Sequence, residues 1–405
     1  MTREKVLISG AGIAGPTLAF WLNAAGIETT LVERAPCLRS GGYVIDFWGL
    51  GYEIAERMRL IEEINRTGYH VQEMRIVDDT GRRRAGFGTA VLDELTGGRY
   101  VTLPRSELSR LLFGTIAHAT ECIFDDEITS LREEADAMLV RLKHAGERRF
   151  DLVIGADGLH SGVRRLAFGP SDQFETHLGY VVAAFEAKGY RPRDDDVYLM
   201  YGRPGRMIGR FTLHADRTLF LLVFAADSDP PAGLAEQKAL LHQVYAGCGW
   251  EAPKMLAELQ RADEVYLDRV SQIRMPGWAK GRVALIGDAA FCVSLLAGQG
   301  SALAMISAYV LAGELAAANG QYRTAFARYD ALLRDYIGMK QKAAARFAGA
   351  FAPRTRAGLL FRDLVAKAFA LPGVARLTFG REITDSLALP DYRWPLLHRA
   401  RLPEN

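Results

Sequence analysis

The chain has 405 residues, with 50 basic and 48 acidic side chains and a net charge of +2. This length allows two or three domains with substantial cores, and the near-neutral balance gives no overall field that would attract nucleic acid. The four cysteines, at positions 37, 122, 248 and 292, are too far apart for a CxxC pair or a zinc cluster. We therefore expect reduced thiols, no metal site and a cytoplasmic protein.

The first 34 residues predict a strand, a helix and a second strand. Apolar runs at 5–9 and 28–34 enclose the turn GAGIAG and a helical pattern at 17–25. The spacing GxGxxG directly after a strand lets the backbone approach a dinucleotide pyrophosphate at a helix N-terminus. The residues predicted to do so are Gly10, Gly12, Ile13, Ala14 and Gly15. Glu33, with Arg34 beside it, ends the second strand, where an acid accepts hydrogen bonds from a ribose.

The middle of the chain predicts an antiparallel sheet. Residues 71–103 and 178–226 alternate apolar and polar positions, with turn residues between the runs. A helical stretch at 234–260 and a strand at 264–272 follow, and RVALIG at 282–287 again has the pattern of a buried parallel strand. The parallel unit is thus interrupted by an antiparallel insert and then resumed, which predicts an α/β domain with a parallel sheet that is interleaved with an antiparallel-sheet domain, rather than two sequential domains.

An uncharged run of 25 residues lies between Asp288 and Glu314. About 20 apolar residues suffice to span a membrane. The glycines at 298 and 300 and three serines interrupt the run, however, which favours a segment buried inside the protein. We expect no membrane association through it.

Two later stretches resemble known fingerprints. DLVIGADGLHSGVRR at 151–165 and GRVALIGDAAFCVSLLAGQGS at 281–301 are similar to the second and third fingerprints of single-component flavoprotein monooxygenases, the group of para-hydroxybenzoate hydroxylase and the tetracycline-inactivating monooxygenases. With the first fingerprint, the resemblance covers most of residues 3–330. It implies bound FAD, NADPH or NADH as a transient reductant, and O2 and a small molecule as substrates. In that family oxygen is transferred through a flavin C4a-hydroperoxide.

The resemblance also implies roles for individual residues. Asp157 would lie near the pyrophosphate, Asp288 would bind the ribityl chain and Arg105 would reach the phosphate or ribityl side. The backbone of Gly298, Gly300 and Ser301 would lie against the isoalloxazine edge. Arg105 could instead be a plain helix-start arginine, and Arg164, which would support the Asp157 loop, could be a surface residue.

Two further charges match the tetracycline-inactivating branch. Asp46 corresponds to an acid near the flavin N5, and Arg39, seven residues earlier, to a contact of the nicotinamide phosphate. Both could instead be loop charges. The third fingerprint departs from the family, whose histidine, prolines and asparagine are replaced by Phe291, Ser294, Leu295 and Ala302. Either a more flexible loop or a subgroup with its own packing explains these replacements, and we favour the subgroup.

The antiparallel insert is expected to cover the flavin. The residues predicted to line the substrate space are Tyr198, Met200, Arg210, Phe220 and Leu222. Arg210 is the one nominated clamp for a carboxylate, and each of the five could instead pack the sheet. The predicted FAD-binding domain comprises 1–75, 101–176 and 273–330, and the substrate domain 76–100 and 177–272.

Residues 331–405 are expected to form a basic helical segment that braces the domains; an amphipathic face on anionic lipid is the alternative. We predict a monomer or weak homodimer that oxygenates an electron-rich aromatic or polyketide-like molecule. A flavin halogenase, an isoprenoid-chain reductase and a flavin-binding module without activity are the alternatives. The tryptophan-rich signature of the halogenases is absent, since Trp278 stands alone.

Overall fold

The computed structural model describes residues 4–39, 41–90, 96–369 and 386–396. The strands are β1 Lys5–Ser9, β2 Glu28–Glu33, β3 Val44–Trp48, β4 Glu73–Val77, β5 Arg83–Gly88, β6 Tyr100–Pro104, β7 Glu121–Phe124, β8 Ile128–Glu133, β9 Met138–Leu142, β10 Glu147–Phe150, β11 Leu152–Gly155, β12 Glu175–Lys188, β13 Val197–Arg203, β14 Arg206–Leu213, β15 Arg217–Ala225, β16 Tyr266–Ile273, β17 Ala279–Lys280 and β18 Val283–Leu285. The helices are α1 Ala14–Ala24, α2 Gly49–Arg57, α3 Ile61–Thr67, α4 Arg105–Gly114, α5 Gly162–Ala167, α6 Leu234–Tyr245, α7 Ala252–Arg261, α8 Asp288–Phe291, α9 Gly300–Ala317, α10 Tyr322–Phe351 and α11 Arg356–Ala368.

A six-stranded sheet, parallel except between β17 and β18, forms the first domain, with strand order β17-β18-β11-β1-β2-β7. β1 pairs in parallel with β2 and with β11, and β11 pairs in parallel with β18. Apolar residues fill these central strands because both faces of a parallel sheet are normally buried, and side chains of a three-stranded sheet, β10-β9-β8, join the same apolar core. The segments that carry the three fingerprints therefore leave the sheet at the same edge, the carboxyl ends of β1, β11 and β18.

A second sheet has seven strands in the order β16-β12-β15-β14-β13-β4-β5. It is antiparallel except between β13 and β4, which run in parallel. Its contribution from β4 and β5 precedes the rest by about a hundred residues, so the chain crosses between the two domains more than once. The predicted fold class, an α/β domain interleaved with an antiparallel sheet, is confirmed.

Side-chain amides join the two domains at β16. Gln272 Nε2 donates to the Val293 carbonyl at 2.8 Å, and Gln341 Nε2 on α10 donates to the Ile273 carbonyl at 2.7 Å. His160, after β11, lies 3.0 Å from Asp268 on β16, and this partner raises the pKa of the imidazole. These bonds fix the antiparallel sheet over the carboxyl edge of the parallel sheet.

The structure corrects several predicted boundaries. The predicted helical stretch 234–260 consists of two helices, α6 and α7. The domain boundary at 75/76 falls inside β4 and that at 330/331 falls inside α10. Residues 386–396, part of the predicted C-terminal helical segment, contain no helix, and positions 370–385 and 397–405 lie outside the described residues.

Helix α9 accounts for most of the uncharged run. It is long and apolar enough to cross a membrane, but 72% of it is buried inside the protein. It packs against α1 on one side and α10 on the other. The apolar run is thus explained by its place in the core, as the interruptions in the run predicted.

The segment 386–396 lies along α9 through aromatic contacts. Tyr392 donates to Glu314 Oε1 at 2.7 Å, and Tyr309 donates to the Pro390 carbonyl at 2.8 Å. The Trp394 ring lies 4.6 Å from that of Trp21 on α1. The hydroxyl groups of Tyr309 and Tyr392 are thus hydrogen-bonded across the contact, so polar bonds as well as ring packing hold the segment to the first domain.

We expect Gly313→Ala to lower the melting temperature. Gly313 lies inside α9, where alanine is normally favoured over glycine by about 1 kcal/mol. A Cβ there would, however, overlap the ring of Tyr392. Gly338 in α10 is the matched control, because an added Cβ meets nothing within 4 Å and Gly338→Ala should raise the melting temperature. An increase for both variants would contradict the contact with Tyr392.

Candidate cofactor and active site

The glycine-rich turn between β1 and α1 is the tightest part of the site. Gly10 has a φ of 110°, and an added Cβ would lie 2.5 Å from the Ala156 carbonyl oxygen. A Cβ on Gly15 would overlap the Gly10 carbonyl oxygen, so α1 starts directly against the strand end. Above Gly12, the nearest atom to an added Cβ is Nη2 of Arg105, at 3.5 Å. The turn thus offers bare backbone beneath a cation, which suits a pyrophosphate.

Glu33 closes this turn from the neighbouring strand. Its Oε2 accepts from the Ala11 amide at 2.8 Å, and its Oε1 accepts from the Ala35 amide at 2.9 Å. The carboxylate is therefore held in one orientation beside the turn and keeps lone pairs for a ribose hydroxyl. Arg34 and Arg39 are exposed and lie at and beyond the end of β2.

Asp288 and Arg105 provide opposite charges in one buried region. Burial raises the pKa of the Asp288 carboxyl, and the charge of Arg105 and a hydrogen bond from Cys292 oppose that rise. Oδ1 of Asp288 lies 3.7 Å from the position of an added Cβ on Gly300. Burial also raises the pKa of Tyr43 to about 12, again opposed by Arg105. A carboxylate here can accept hydrogen bonds from a polyhydroxyl chain, and the arginine can bind its phosphate.

The Asp157 loop is held from within. Ser161 Oγ donates to Asp157 Oδ1 at 2.5 Å, and burial raises the pKa of this carboxyl. Arg164 is fully buried and donates to the carbonyls of Leu159 at 2.6 Å and Ala289 at 2.9 Å. Arg164 thus joins the second fingerprint to the first turn of α8, and the alternative of a surface arginine is wrong.

The residues that replace the family's histidine, prolines and asparagine are packed. Phe291 is 2% exposed and its ring lies 4.7 Å from that of Trp278. Ser294 is buried at a φ of 133°, a region that costs a residue other than glycine about 1–3 kcal/mol. Leu295 packs into the apolar cluster beneath the antiparallel sheet, and Ala302 lies against α2. This packing favours a subgroup with its own arrangement over a more flexible loop.

The start of α9 completes the rim of the site. Gly298 has left-handed backbone with a φ of 67°, and α9 begins at Gly300 with Ser301 buried behind it. The first amide groups of a helix have no partner within the helix and carry partial positive charge. They can stabilise negative charge on a group placed at this end.

Asp46 on β3 accepts hydrogen bonds from two other elements. Its Oδ1 lies 2.7 Å from Tyr100 Oη and 2.6 Å from Thr102 Oγ1, both on β6. Tyr198 Oη, on β13 of the antiparallel sheet, lies 3.4 Å away. Burial raises the pKa of Asp46, and these three hydroxyls oppose the rise. Asp46 is therefore the acid at which the two domains meet, and not a loop charge.

The antiparallel sheet has two faces of different character. The outer face packs against α6 and α7 and forms one continuous apolar cluster. We call the opposite face, which turns toward Asp46 and the turn Leu295–Ala297, the inner face. The inner face carries Tyr198 and Met200, and their role in lining the substrate space stays a prediction.

The other three predicted substrate residues lie on the outer face, and their assignment is corrected. Phe220 and Leu222 are completely buried under α6 and α7. Arg210 is 2% exposed and donates to both Glu251 oxygens, at 2.7 and 2.8 Å, and to Asp194. A cation paired with two carboxylates on the far side of the sheet cannot clamp a substrate.

Several site residues were missed by the sequence reasoning. Tyr100 and Thr102 occupy alternate positions of β6, so the sequence could show that they share a face of the strand. It could not show that β3, which carries Asp46, pairs with β6. Cys292 lies four residues after Asp288, and its helical spacing was the available signal. Tyr43 and Tyr266 have rings 5.7 Å apart near Arg105 and come from separate domains, which sequence spacing does not reveal.

Comparison with known proteins agrees with this geometry. The family model described as an FAD binding domain matches residues 3–330. A flavin-dependent monooxygenase of Legionella longbeachae is 31% identical, over 96% of this chain and 98% of its own. An uncharacterized protein of Mycobacterium tuberculosis is 36% identical over 84% of this chain and 92% of its own. The crystal structure of tetracycline destructase Tet(51) is 29% identical and superposes with a TM-score of 0.82, covering 96% and 100% of the two chains.

We expect Asp288→Ala to abolish FAD retention. Each lost hydrogen bond to a charged group costs about 1.5–3 kcal/mol, and a ribityl chain could form more than one here. The flavin-to-protein ratio after gel filtration measures the effect. Asp195→Ala, at an exposed carboxylate distant in sequence, is the control and should keep its flavin. A normal ratio in Asp288→Ala would refute the assignment.

Arg210→Met should destabilise the protein without weakening substrate binding. Removing one member of a buried ion pair costs about 3–5 kcal/mol because its partners stay buried without a counter-charge. Urea unfolding gives the stability, and KM gives the apparent substrate affinity. A raised KM at unchanged stability would return Arg210 to the substrate site.

Proposed function

The chain belongs to the FAD binding domain family and is a flavin-dependent monooxygenase; on this premise we propose that it uses NAD(P)H to oxygenate an electron-rich aromatic or polyketide-like molecule. In the overall reaction, one atom of O2 enters the substrate as a hydroxyl or ring oxygen. The other leaves as water, and NAD(P)H supplies two electrons. FAD, once bound, accepts those electrons and activates O2.

The observation that supports the proposal most strongly is that a polar surface and an apolar surface face each other. On one side lie the bare glycine turn, Arg105, Asp288 and the start of α9, which suit the pyrophosphate, the ribityl chain and the ring of FAD. On the other side lies the apolar inner face of the antiparallel sheet. A substrate between them would be shielded from water, as oxygen transfer requires.

The residues of the first surface fit FAD as follows. The backbone of Gly10–Gly15 would meet the pyrophosphate and Glu33 the adenosine ribose, while Asp157 holds the adjoining loop. Asp288 and Arg105 would bind the ribityl and phosphate groups. The amides of Gly298–Ser301 would stabilise negative charge on the reduced ring. Exposed Arg39 would meet the phosphate of the transient nicotinamide.

Asp46 is the proposed proton-exchanging group. Its Oδ1 already accepts from Tyr100 and Thr102, so Oδ2 would receive or return the proton of a substrate hydroxyl. Deprotonating such a hydroxyl makes an aromatic ring more electron-rich. Its raised pKa brings the carboxyl closer to the pKa at which a group exchanges protons well near neutral pH.

The similarity to a tetracycline destructase supports a multi-ring, polyketide-like substrate. The relatives also favour oxygenation over halogenation, chain reduction or simple flavin binding, because those with a named activity are called monooxygenases. The reaction is tested with holoenzyme, NADPH or NADH, O2 and a panel of phenolic compounds that includes tetracycline. We expect a panel member to speed NAD(P)H oxidation and to gain the mass of one oxygen atom. Faster oxidation that yields only hydrogen peroxide for every compound would count against the proposal.

We expect Asp46→Asn to retain FAD and lower kcat/KM by about 10²-fold, the usual contribution of a positioned acid or base. The pH dependence of kcat/KM shows which protonation state of Asp46 is active. Because the ionised form accepts the proton, wild-type activity should fall as the pH drops through the raised pKa of Asp46. That limb should disappear in Asp46→Asn. A limb that persists in Asp46→Asn would assign the proton transfer to another group.

A further inference from the structure

The buried core on the inner face of the antiparallel sheet is divided into separate clusters, and we call the boundary between the two described next the gap. One apolar cluster includes Val182, Met207 and Leu296, and a separate one includes Phe211 and Leu219. The outer face of the same strands, by contrast, is packed as a single cluster. Leu221 packs against both of these clusters but is only partly buried, so the gap marks a part of the sheet that the described chain covers incompletely.

A single row of residues crosses the sheet at this gap. Strand pairing places Leu221 opposite both Ala184 and Gly209, and Gly209 opposite Met200. Leu221 and Met200 are only partly buried, unlike their neighbours in the two clusters. Gly209 lies between these two side chains, is itself buried beside the side chain of Met207, and adds no side chain of its own to the row.

Backbone conformation does not explain the glycine at 209. Two other glycines of the same sheet do have a local explanation. Gly86 has a φ of 142° and lies against the Met74 carbonyl, and a Cβ added to Gly202 would lie 2.7 Å from Arg362 of α11. Gly209 has no positive φ, and the three atoms nearest to an added Cβ are 3.4–3.6 Å away, all within its own sheet. Glycine weakens a strand interior, so its occurrence here needs another cause.

We propose that Gly209 determines substrate specificity by leaving room for a flat molecule of more than one ring. This inference rests on the proposed function, since it concerns the same site. Adjacent strands are about 4.8 Å apart, so Met200 and Leu221 lie about 10 Å apart across Gly209. That width accepts the edge of fused rings, whose apolar face would contact the partly exposed side chains of the row.

The groups around the row indicate the chemistry of the ligand. Tyr198, two residues before Met200 on β13, brings its hydroxyl to within 3.4 Å of Asp46. Arg210, the adjacent residue on β14, points to the other face and is neutralised by Glu251 and Asp194. A multi-ring phenol that presents hydroxyl groups to Asp46, and no carboxylate to the sheet, fits these surroundings.

The test measures binding and needs no turnover. Tetracycline, 1,3-dihydroxynaphthalene and resorcinol are titrated into FAD-loaded protein without NAD(P)H, and the change in flavin absorbance gives a dissociation constant. Gly209→Leu extends a side chain into the proposed space, and Gly209→Ala is the matched control, because its Cβ meets only ordinary contact distances. Flavin content and melting temperature are recorded for each variant.

We expect Gly209→Leu to remain folded with FAD and to bind the multi-ring probes about tenfold more weakly or worse, as overfilling of a packed space predicts. Resorcinol binding and the Gly209→Ala variant should be unchanged. In the double variant Gly209→Leu with Leu221→Ala, removal of the paired side chain should restore multi-ring binding.

Four results would overturn the proposal. These are equal losses for one-ring and multi-ring probes, unchanged multi-ring binding in Gly209→Leu, loss of FAD or folding in that variant, and no response of the wild type to any multi-ring probe. Because no chemistry is required, these results are independent of whether oxygen is transferred. Failure of oxygen transfer with selective binding intact would instead refute the proposed function alone.

Discussion

The close approach of three backbone segments at the end of β1 is the constraint on which the site depends. Gly10 touches the chain leaving β11, and Gly15 touches the Gly10 carbonyl, so a side chain at Gly10 would push the turn away from the chain after β11, and one at Gly15 would push α1 away from the end of β1. Because the contact is backbone to backbone, it leaves amide groups uncovered at the carboxyl edge of the sheet. Glu33 then binds the turn through Ala11, and the loops after β11 and β18 lie beside it. The position of every proposed cofactor contact follows from this edge.

Electrostatics then separate the site into a polar and an apolar half. Asp46, Asp157 and Asp288 are all partly buried, and this loss of contact with water raises the pKa of each carboxyl. Such groups persist in a folded protein only when hydroxyls, amides or a cation compensate for lost water, and each of the three has at least one such partner. The long uncharged stretch that ends in α9 adds no competing charge. The inner face of the antiparallel sheet supplies the apolar half, and Tyr198 connects the two through Asp46.

The sequence was sufficient for the parts of the fold that depend on local chemistry. Glycine spacing after an apolar run identified the β1–α1 turn, and period-two alternation identified β12 to β15. Alternation also sorts a strand into two faces, but it does not say which face helices cover. Arg210, Phe220 and Leu222 were therefore assigned to the substrate side, whereas α6 and α7 bury them. Likewise, the pairing of β3 with β6, which brings Tyr100 and Thr102 to Asp46, depends on register between segments more than fifty residues apart. Such register is set by tertiary packing and not by either segment alone.

The central claim is that oxygen is transferred to a substrate held between the polar half of the site and the apolar inner face of the antiparallel sheet. Isotope labelling tests this claim most directly. Holoenzyme would be turned over with NAD(P)H and the panel member that best stimulates its oxidation, once under labelled O2 in ordinary water and once with the labels reversed. The account predicts a product that contains one labelled atom from O2 and none from water. A product labelled from water, or one that gains two hydrogens or a halide without oxygen, would contradict it.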